Sequence, residues 1–138
     1  MSVTADEVRD FIRSNHHGVL ATTRRDGAPQ LSPVLVGVDD DGSLVMSTRE
    51  TAMKTANVRR HGRASVCVFP NAFFGNWVQA EGPAGIESLP EAMHGLMRYY
   101  RLVAGEHPDW DDYRRAMQRE RRVLLRIRID RVGPTRQG

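Results

Sequence analysis

The residues best suited to bind a ligand lie between Ser47 and Arg60, where hydroxyl, guanidinium and amine groups occur close together. This segment contains Lys54, the only lysine of the chain, and its pattern predicts the end of a strand followed by a short helix over residues 51–60. Lys54 and Thr55 fall in the first turn of that helix, where backbone N–H groups and the helix dipole favour a phosphate. The pattern predicts an anion site, and it is equally typical of a capped helix on the protein surface.

A second group of candidate ligand-binding residues lies on a predicted edge strand. Polar Gln30 and Ser32 alternate with Leu31, and Pro33 and Val34 follow them. Proline lacks the N–H group that a sheet ladder needs, so its presence indicates an edge or a bulge. An edge beside the anion site offers backbone and amide contacts to a flat heteroaromatic ring, although an ordinary exposed strand face fits the same pattern.

One aromatic residue joins these candidates. Trp77 follows a predicted loop that contains Phe73 and Phe74, and it is a candidate either for the wall of a pocket or for ordinary packing. The other large aromatic residues are predicted to be packing anchors on helices, because their rings bury much apolar area.

The sequence lacks the motifs of several catalytic classes. It has neither of the phosphate-binding loops G-x-G-x-x-G and G-x-x-x-x-G-K-[ST], nor the zinc motif H-E-x-x-H, nor the serine motif G-x-S-x-G. No pair of histidines has the i, i+4 spacing of a helical metal site, and Cys67 lies in an apolar strand. We therefore predict no metal site and no catalytic side chain, and we expect a bound cofactor to carry any redox chemistry.

The order of the predicted elements indicates antiparallel β structure with peripheral helices. Thr4 and Glu7 form a capping box at the start of the first helix, and further helices are predicted over residues 51–60, 88–103 and 109–119. Six strands are predicted, over residues 17–23, 30–38, 43–48, 64–69, 76–87 and 121–132. The first three would form a meander, and the whole set indicates a small, mainly β barrel or sandwich.

Length and composition are typical of one globular domain over residues 1–138, with 40% hydrophobic and 27% charged residues. A single cysteine, a polar N-terminus and short apolar runs predict a cytoplasmic protein without a disulfide, a signal peptide or a membrane span. Residues 114–138 contain nine basic and two acidic side chains. We expect the arginine face of the last strand to be solvated, and without interleaved aromatic residues it predicts no nucleic-acid binding.

Four motifs resemble the pyridoxamine-phosphate-oxidase-like family of FMN-binding split β-barrels. They are Gly18-Val-Leu-Ala-Thr-Thr, Asp26-Gly-Ala-Pro-Gln-Leu-Ser32, Lys54-Thr-Ala-Asn-Val-Arg-Arg and Ala80-Glu-Gly82. A longer segment, from Ala104 to Leu125, resembles more specifically the mycobacterial-type branch that uses the deazaflavin coenzyme F-420. The resemblance covers about residues 8–132 and implies a six-stranded antiparallel split β-barrel.

The resemblance also implies a cofactor site made of two groups of residues. The phosphate would be held by Lys54 and Thr55, with Ser47, Arg49 and Asn57 nearby. The ring system would be bordered by Gln30, Ser32, Pro33 and Val34. Family members often carry a second basic residue shortly before the lysine; here Ala52 and Met53 stand there, and we expect Arg49 to substitute.

The implied assembly is a homodimer with two cofactor sites between the subunits. The implied reaction is hydride transfer between the deazaflavin and a small organic acceptor. The polyglutamate tail of the coenzyme adds negative charge, for which Arg59, Arg60 and the C-terminal arginines are candidate partners. Two alternatives stay open at this point: an FMN-binding oxidoreductase on the same barrel, and a non-catalytic carrier of coenzyme F-420.

Overall fold

Eight strands and four helices follow one another in the computed structural model, which describes residues 3–134. The strands are β1 (His17–Thr23), β2 (Pro29–Leu35), β3 (Gly37–Val38), β4 (Leu44–Arg49), β5 (Arg63–Val68), β6 (Val78–Glu87), β7 (Arg122–Ile127) and β8 (Arg131–Gly133). The helices are α1 (Ala5–Ser14), α2 (Met53–His61), α3 (Met93–Ala104) and α4 (Trp110–Arg119). The remainder of the predicted domain, including the basic residue Arg136, lies outside the described residues.

The strands form a curled antiparallel sheet in the order β2-β1-β5-β6-β7-β4-β3, with β8 paired to β6. The long strand β6 joins the two halves of this sheet, because residues 78–83 pair with β5 and residues 84–87 pair with β7. This arrangement confirms the predicted mainly β fold with peripheral helices, a split barrel.

The predicted count of six strands is wrong, because two of the predicted strands are each divided. The second breaks at Val36, whose backbone N–H donates to the His16 carbonyl oxygen at 2.8 Å, and this gives β2 and β3. The last breaks after Ile127 and gives β7 and β8. The predicted meander is correct only in part, since β2 pairs with β1 whereas β4 pairs with β3 and β7.

Local signals account for the helix ends. In α1 the backbone N–H of Glu7 donates to the Thr4 hydroxyl at 3.2 Å, and the Thr4 N–H donates to the Glu7 carboxylate at 3.1 Å, which is the predicted capping box. α2 ends at Gly62, whose φ of 77° lies in the left-handed region that glycine adopts most readily. α3 starts at Met93, five residues later than predicted, after a turn.

The core fills the interior of the curled sheet with apolar side chains from both halves. α1 packs against β3, β6 and β8 and adds two fully buried residues to that core. Burying one such side chain contributes about 1.5–3 kcal/mol. Central members of the core are Val8, Ile12, Leu20, Met46, Val66, Leu125 and Ile127.

The predicted solvated arginine face of the last strand is wrong for Arg126, whose side chain is only 11% exposed. Its guanidinium donates to Glu87 and to Asp39, both at 2.8 Å. Arg98 of α3 also donates to Asp39, at 3.1 Å. Burial alone would raise the pKa of Asp39, but the hydrogen bonds from the two arginines outweigh it and hold that pKa well below its usual range. This ionic network ties α3, β6 and β7 to the turn before β4.

Candidate functional site

The curled sheet stays open between β2 and β4. β2 is hydrogen-bonded to β1 along one edge only, and residues 46–49 of β4 pair with β7 alone. The two strands contact each other near β3, where the chain passes from one half of the sheet to the other. The candidate residues of β2 and β4 therefore lie along two strands that flank one split.

The N-terminus of α2 follows β4 after a short turn, and the one acidic residue of that turn, Glu50, is paired with Arg59 at 2.9 Å. Ala52 caps the helix without a side-chain hydrogen bond, and the first turn contains no acidic residue. Backbone N–H groups at such a terminus carry a partial positive charge and lack intrahelical partners. This end of the helix is suited to bind an anion.

Lys54 is the second residue of α2, and its side chain is half-buried. Burial lowers the pKa of Lys54, the nearby Arg122 guanidinium lowers it further, and no carboxylate among residues 3–134 counteracts the two. Arg122 itself donates to Glu120, at 2.9 Å. Two positive charges thus stand together, and one of them has no counter-charge within the described part of the chain.

Thr55 is fully buried, and its hydroxyl donates to the Arg49 carbonyl oxygen at 2.6 Å. The same carbonyl accepts from the Ala52 N–H at 3.1 Å. Thr55 therefore fixes the turn between β4 and α2, and in this arrangement its hydroxyl proton is not free for a phosphate.

Asn57 is buried and connects the two groups of predicted site residues. Its amide nitrogen donates to the Thr22 hydroxyl at 3.1 Å and to the Gln30 side-chain oxygen at 3.3 Å. Its amide oxygen accepts from Arg60 at 2.9 Å. The Gln30 side chain on β2 is thereby held against α2. The predicted ring-binding edge and the predicted anion site are therefore neighbours.

Two buried hydroxyl oxygens, those of Ser32 and Thr48, find no hydrogen-bond partner within residues 3–134. Ser32 lies opposite Leu20 in the β1–β2 register, so it faces the barrel interior, and Thr48 lies opposite the core residue Val123. Unpaired buried polar groups are rare in proteins and call for a ligand or an ordered water. The donors and acceptors present along the split fit a polar cofactor.

The remaining predicted residues occupy different parts of the split. Ser47 is half-buried on β4, and the exposed Arg49 side chain lies 3.8 Å from the Glu120 carboxylate. On β2, Pro33 is exposed and Val34 packs against the core.

Trp77 stands apart from the anion site. Trp77 precedes Val78, the first residue of β6. Across the sheet, Val78 lies in line with Val68 on β5, Gly18 on β1 and Val34 on β2, so Trp77 lies at the same end of the sheet as Val34. Gln30 lies four residues further along β2, beside α2. The structure thus brings Gln30, Asn57 and the start of α2 together. Within this chain, Trp77 lies away from them.

Sequence reasoning did not single out three residues that belong to this region, Thr22, Thr48 and Arg122, although Thr48 lies in the segment from Ser47 to Arg60 that was predicted to bind a ligand. Thr22 lies in one of the motifs that carried the family resemblance, and that motif could have identified it as a residue of the site. Arg122 was assigned to a solvated strand face, because its position beside Lys54 depends on the pairing of β4 with β7, which brings Arg49 opposite Arg122.

Two clefts have arginines in their linings, and only the second includes residues of α2. One has a volume of about 440 Å³ and includes Arg121, Arg122 and Glu50 in its lining. The other, of about 380 Å³, lies between the β1–β2 turn and α2, and its basic residues are Arg24, Arg25 and Arg60. A ligand with several negative charges would find guanidinium groups in both.

Metal and thiol chemistry receive no support from the described residues. Within residues 3–134, no three His, Cys, Asp or Glu side chains are grouped so that they could hold a metal ion. Burial raises the pKa of the Cys67 thiol, which disfavours the reactive thiolate. No helix in that range has the length and apolar character needed to cross a bilayer. The cytoplasmic location stays a prediction.

The family profile of pyridoxamine 5'-phosphate oxidase matches residues 4–136. The chain belongs to the pyridoxamine 5'-phosphate oxidase family. This member of the family is similar in structure to a conserved hypothetical protein of Mycobacterium tuberculosis, with 29% identity, a TM-score of 0.76, and 94% of this chain and 82% of that chain covered.

Two further solved structures share the fold of this pyridoxamine 5'-phosphate oxidase family member. One is described as an F420 reductase, with 17% identity, a TM-score of 0.70, and 91% of this chain and 94% of that chain covered. The other is a heme binding protein from Mycobacterium smegmatis, with 22% identity, a TM-score of 0.71, and 93% of this chain but only 52% of that chain covered. At these identities the likeness concerns the fold.

Proposed function

We propose that this protein is an oxidoreductase that uses coenzyme F-420 and transfers a hydride between the deazaflavin and a small organic acceptor. The observation that carries the proposal is the half-buried Lys54 ammonium, which lies beside Arg122 at an uncapped helix N-terminus. A charge kept there at a desolvation cost is stabilised when an anion binds next to it. The phosphate of a cofactor is such an anion.

Two features favour F-420 over FMN. The segment from Ala104 to Leu125 resembles the F-420-dependent branch. In addition, two clefts contain arginines: one, beside the end of β4, includes Arg121 and Arg122, and the other includes Arg60 of α2. The carboxylates of a polyglutamate tail would be attracted to such clefts, whereas FMN ends at its phosphate.

The residues along the split would bind and orient the cofactor. Lys54 and the N–H groups at the start of α2 would bind the phosphate, and Gln30, fixed by Asn57, would contact the ring. Ser32 and Thr48 would satisfy their unpaired hydroxyls against polar atoms of the ring or against water ordered by it. The deazaflavin supplies the hydride chemistry when it is bound, and no side chain is assigned as a proton donor.

We further propose a homodimer in which the cofactor sites lie at the subunit interface. The edge strand β2 presents Leu31 and Leu35, which are 63% and 41% exposed. On the loop before β6, Phe73 is 60% exposed and Phe74 is 83% exposed. Apolar area of this size on an unpaired strand and an adjoining loop is typical of a protein–protein contact, and a second copy would cover it.

The test is a titration of purified cofactor-free protein with coenzyme F-420 and, separately, with FMN, followed by fluorescence quenching. We expect saturable quenching of F-420 with a higher affinity than for FMN. Tight FMN binding without a response to F-420 would establish the alternative cofactor. The carrier alternative is distinguished by offering reduced F-420 with quinones and enones as acceptors, since a carrier binds the coenzyme and never oxidises it.

A further inference from the structure

The place where β2 and β4 separate is defined by the hydrogen-bond pattern of β3 and β4. Gly37 lies opposite Val45 and Val38 opposite Leu44, and the Asp39 N–H donates to the Ser43 carbonyl oxygen at 2.9 Å. In an antiparallel ladder every second opposed pair exchanges backbone hydrogen bonds. Residues 39 and 43 form one bonded pair, so residues 37 and 45 form the next. If the same register continued beyond β3, the bonded pair after that would be Leu35 with Ser47.

A side chain occupies the position of that last pair. Tyr99 of α3 donates its hydroxyl proton to the Leu35 carbonyl oxygen at 2.8 Å, so its phenol lies on the side of β2 that would face Ser47. The Ser47 N–H is directed away from β7 and toward that side, because the bonded positions of β4 with β7 are the even-numbered ones, in register with the bond from the Glu50 N–H to the Arg121 carbonyl oxygen. The Leu35 carbonyl is directed away from β1, because the next residue, Val36, makes the bond to β1 through His16. A phenol can donate one hydrogen bond and accept another, so a Tyr99 hydroxyl that donates to Leu35 can also accept from the Ser47 N–H on the opposite strand.

The next pair along the split can form at most one of its two backbone hydrogen bonds. It would join Pro33 to Arg49, but proline has no N–H to donate. The Arg49 carbonyl oxygen already accepts from the Thr55 hydroxyl at 2.6 Å and from the Ala52 N–H at 3.1 Å. Without Tyr99, Leu35 and Ser47 would be the pair next to β3 that can form both bonds of an antiparallel ladder, whereas Pro33 and Arg49 can form only one.

We propose that Tyr99 is a positioning residue that keeps β2 and β4 apart and thereby sets the width of the split in which the cofactor binds. This inference rests on the proposed function for the binding itself, but the separation of the strands is a property of the cofactor-free protein. Gln30 and Ser32 on β2 would then stand at a fixed distance from Ser47 and Lys54 across the split.

The test in the unmodified protein is amide hydrogen exchange of the cofactor-free form. The Ser47 amide has no strand partner across the split, so only the Tyr99 hydroxyl can protect it there. We expect slow exchange at Ser47 and fast exchange at Asp41, in the exposed turn before β4 and outside the proposed dimer contact. Exchange at Ser47 as fast as at Asp41 would overturn the proposal, whatever cofactor the protein binds.

The test by substitution compares Tyr99→Phe with Tyr113→Phe. Tyr113 is a matched control, because its hydroxyl also donates to a backbone carbonyl, that of Leu96 at 2.9 Å, within the α3–α4 region. We expect similar melting temperatures for the two variants, but an affinity for F-420 about tenfold lower in Tyr99→Phe alone, as follows when a site loses its preorganisation. A crystal structure of Tyr99→Phe should show Leu35 and Ser47 joined directly.

Equal cofactor affinities in the two variants, or a Tyr99→Phe structure with an unchanged split, would overturn the proposal. If the unmodified protein binds neither F-420 nor FMN, the proposed function fails instead. In that case hydrogen exchange at Ser47 and the variant structure still decide the role of Tyr99.

Discussion

At the scale of single residues, the site depends on a positive charge that is half inside the protein and beside a second positive charge. Burial lowers the pKa of Lys54, and Arg122 lowers it further. A structural surface lysine would be solvated or would pair with a carboxylate, at a gain of about 0–1 kcal/mol. The environment of Lys54 is therefore unfavourable until an anion binds, which is typical of a residue kept for binding.

Replacing Lys54 with Ala should weaken F-420 binding by about 1–3 kcal/mol, the range for a lost charged hydrogen bond. Fluorescence quenching titrations measure this directly. Arg63→Ala is the control, since Arg63 carries the same charge beyond the other end of α2, where it pairs with Asp130 at 2.9 Å. An unchanged affinity in Lys54→Ala would remove Lys54 from the phosphate site.

The affinity for F-420 should also fall at alkaline pH. Only the ammonium form of Lys54 attracts a phosphate, and its lowered pKa means that the cofactor-free protein loses this proton at a lower pH than an exposed lysine does. Binding must then take the proton up again, so affinity decreases as the pH rises through that pKa. In Lys54→Arg the side chain stays charged, and the decline should disappear from the titrations. Parallel pH profiles in the two proteins would contradict this assignment.

At the scale of elements, the sequence predicted those features that depend on neighbouring residues. The capping box at Thr4 and the strand His17–Thr23 were predicted as they occur, because caps and alternation are local signals. The break at Val36 was missed, since it lies where the chain stops pairing with β1 and starts pairing with β4, and a change of partner strand is not a local signal. For the same reason the sequence placed Lys54 in the first turn of α2 but could not place Arg122 beside it.

The crossing of β6 from one half of the sheet to the other depends on Gly82. A Cβ atom there would lie 1.8 Å from the Arg128 carbonyl oxygen, which is backbone and cannot move aside cheaply. Gly82→Ala should lower the free energy of unfolding by about 3 kcal/mol, measured by urea denaturation. Gly85→Ala on the same strand is the matched control, because nothing lies within 4 Å of its Cβ position. Equal stability of the two variants would show that the crossing relaxes without cost.

At the scale of the whole molecule, Asp39 joins parts of the fold that are far apart in sequence. Its carboxylate, 5% exposed, accepts hydrogen bonds from Arg98 on α3 and Arg126 on β7. Removing one partner of a buried ionic network is costly, because the other charge stays buried. The network therefore contributes to the stability of the whole barrel and not of one element.

Asp39→Asn should destabilise the protein by roughly 3 kcal/mol at neutral pH. The pKa of Asp39 is lower in the folded than in the unfolded protein, so its contribution is complete above the ordinary carboxyl pKa and decreases as the pH falls below about 4. Unfolding free energies of the two proteins should consequently converge in acid. Asp10→Asn, at an exposed helical ion pair, is the control and should have little effect. A pH-independent difference would mean that the loss in Asp39→Asn is one of packing alone.

The proposed dimer makes a prediction at the same scale. Leu31→Glu places a charge in the centre of the exposed apolar strand β2 and should shift the protein toward monomers in analytical ultracentrifugation. Arg119→Glu, on the exposed end of α4, introduces the same side chain elsewhere and should leave the assembly unchanged. Identical sedimentation of both variants and the unmodified protein would exclude β2 from the interface.

The isolation of Lys54 has a practical consequence. Because it is the only lysine of the chain, amine-directed acylation modifies side chains at this one position. Its lowered pKa leaves more of the neutral amine at a given alkaline pH than an exposed lysine would have, whereas an anion bound next to it would restore the proton and shield the nitrogen. The rate of acylation, followed by mass spectrometry, then reports occupancy of the split without any added chromophore.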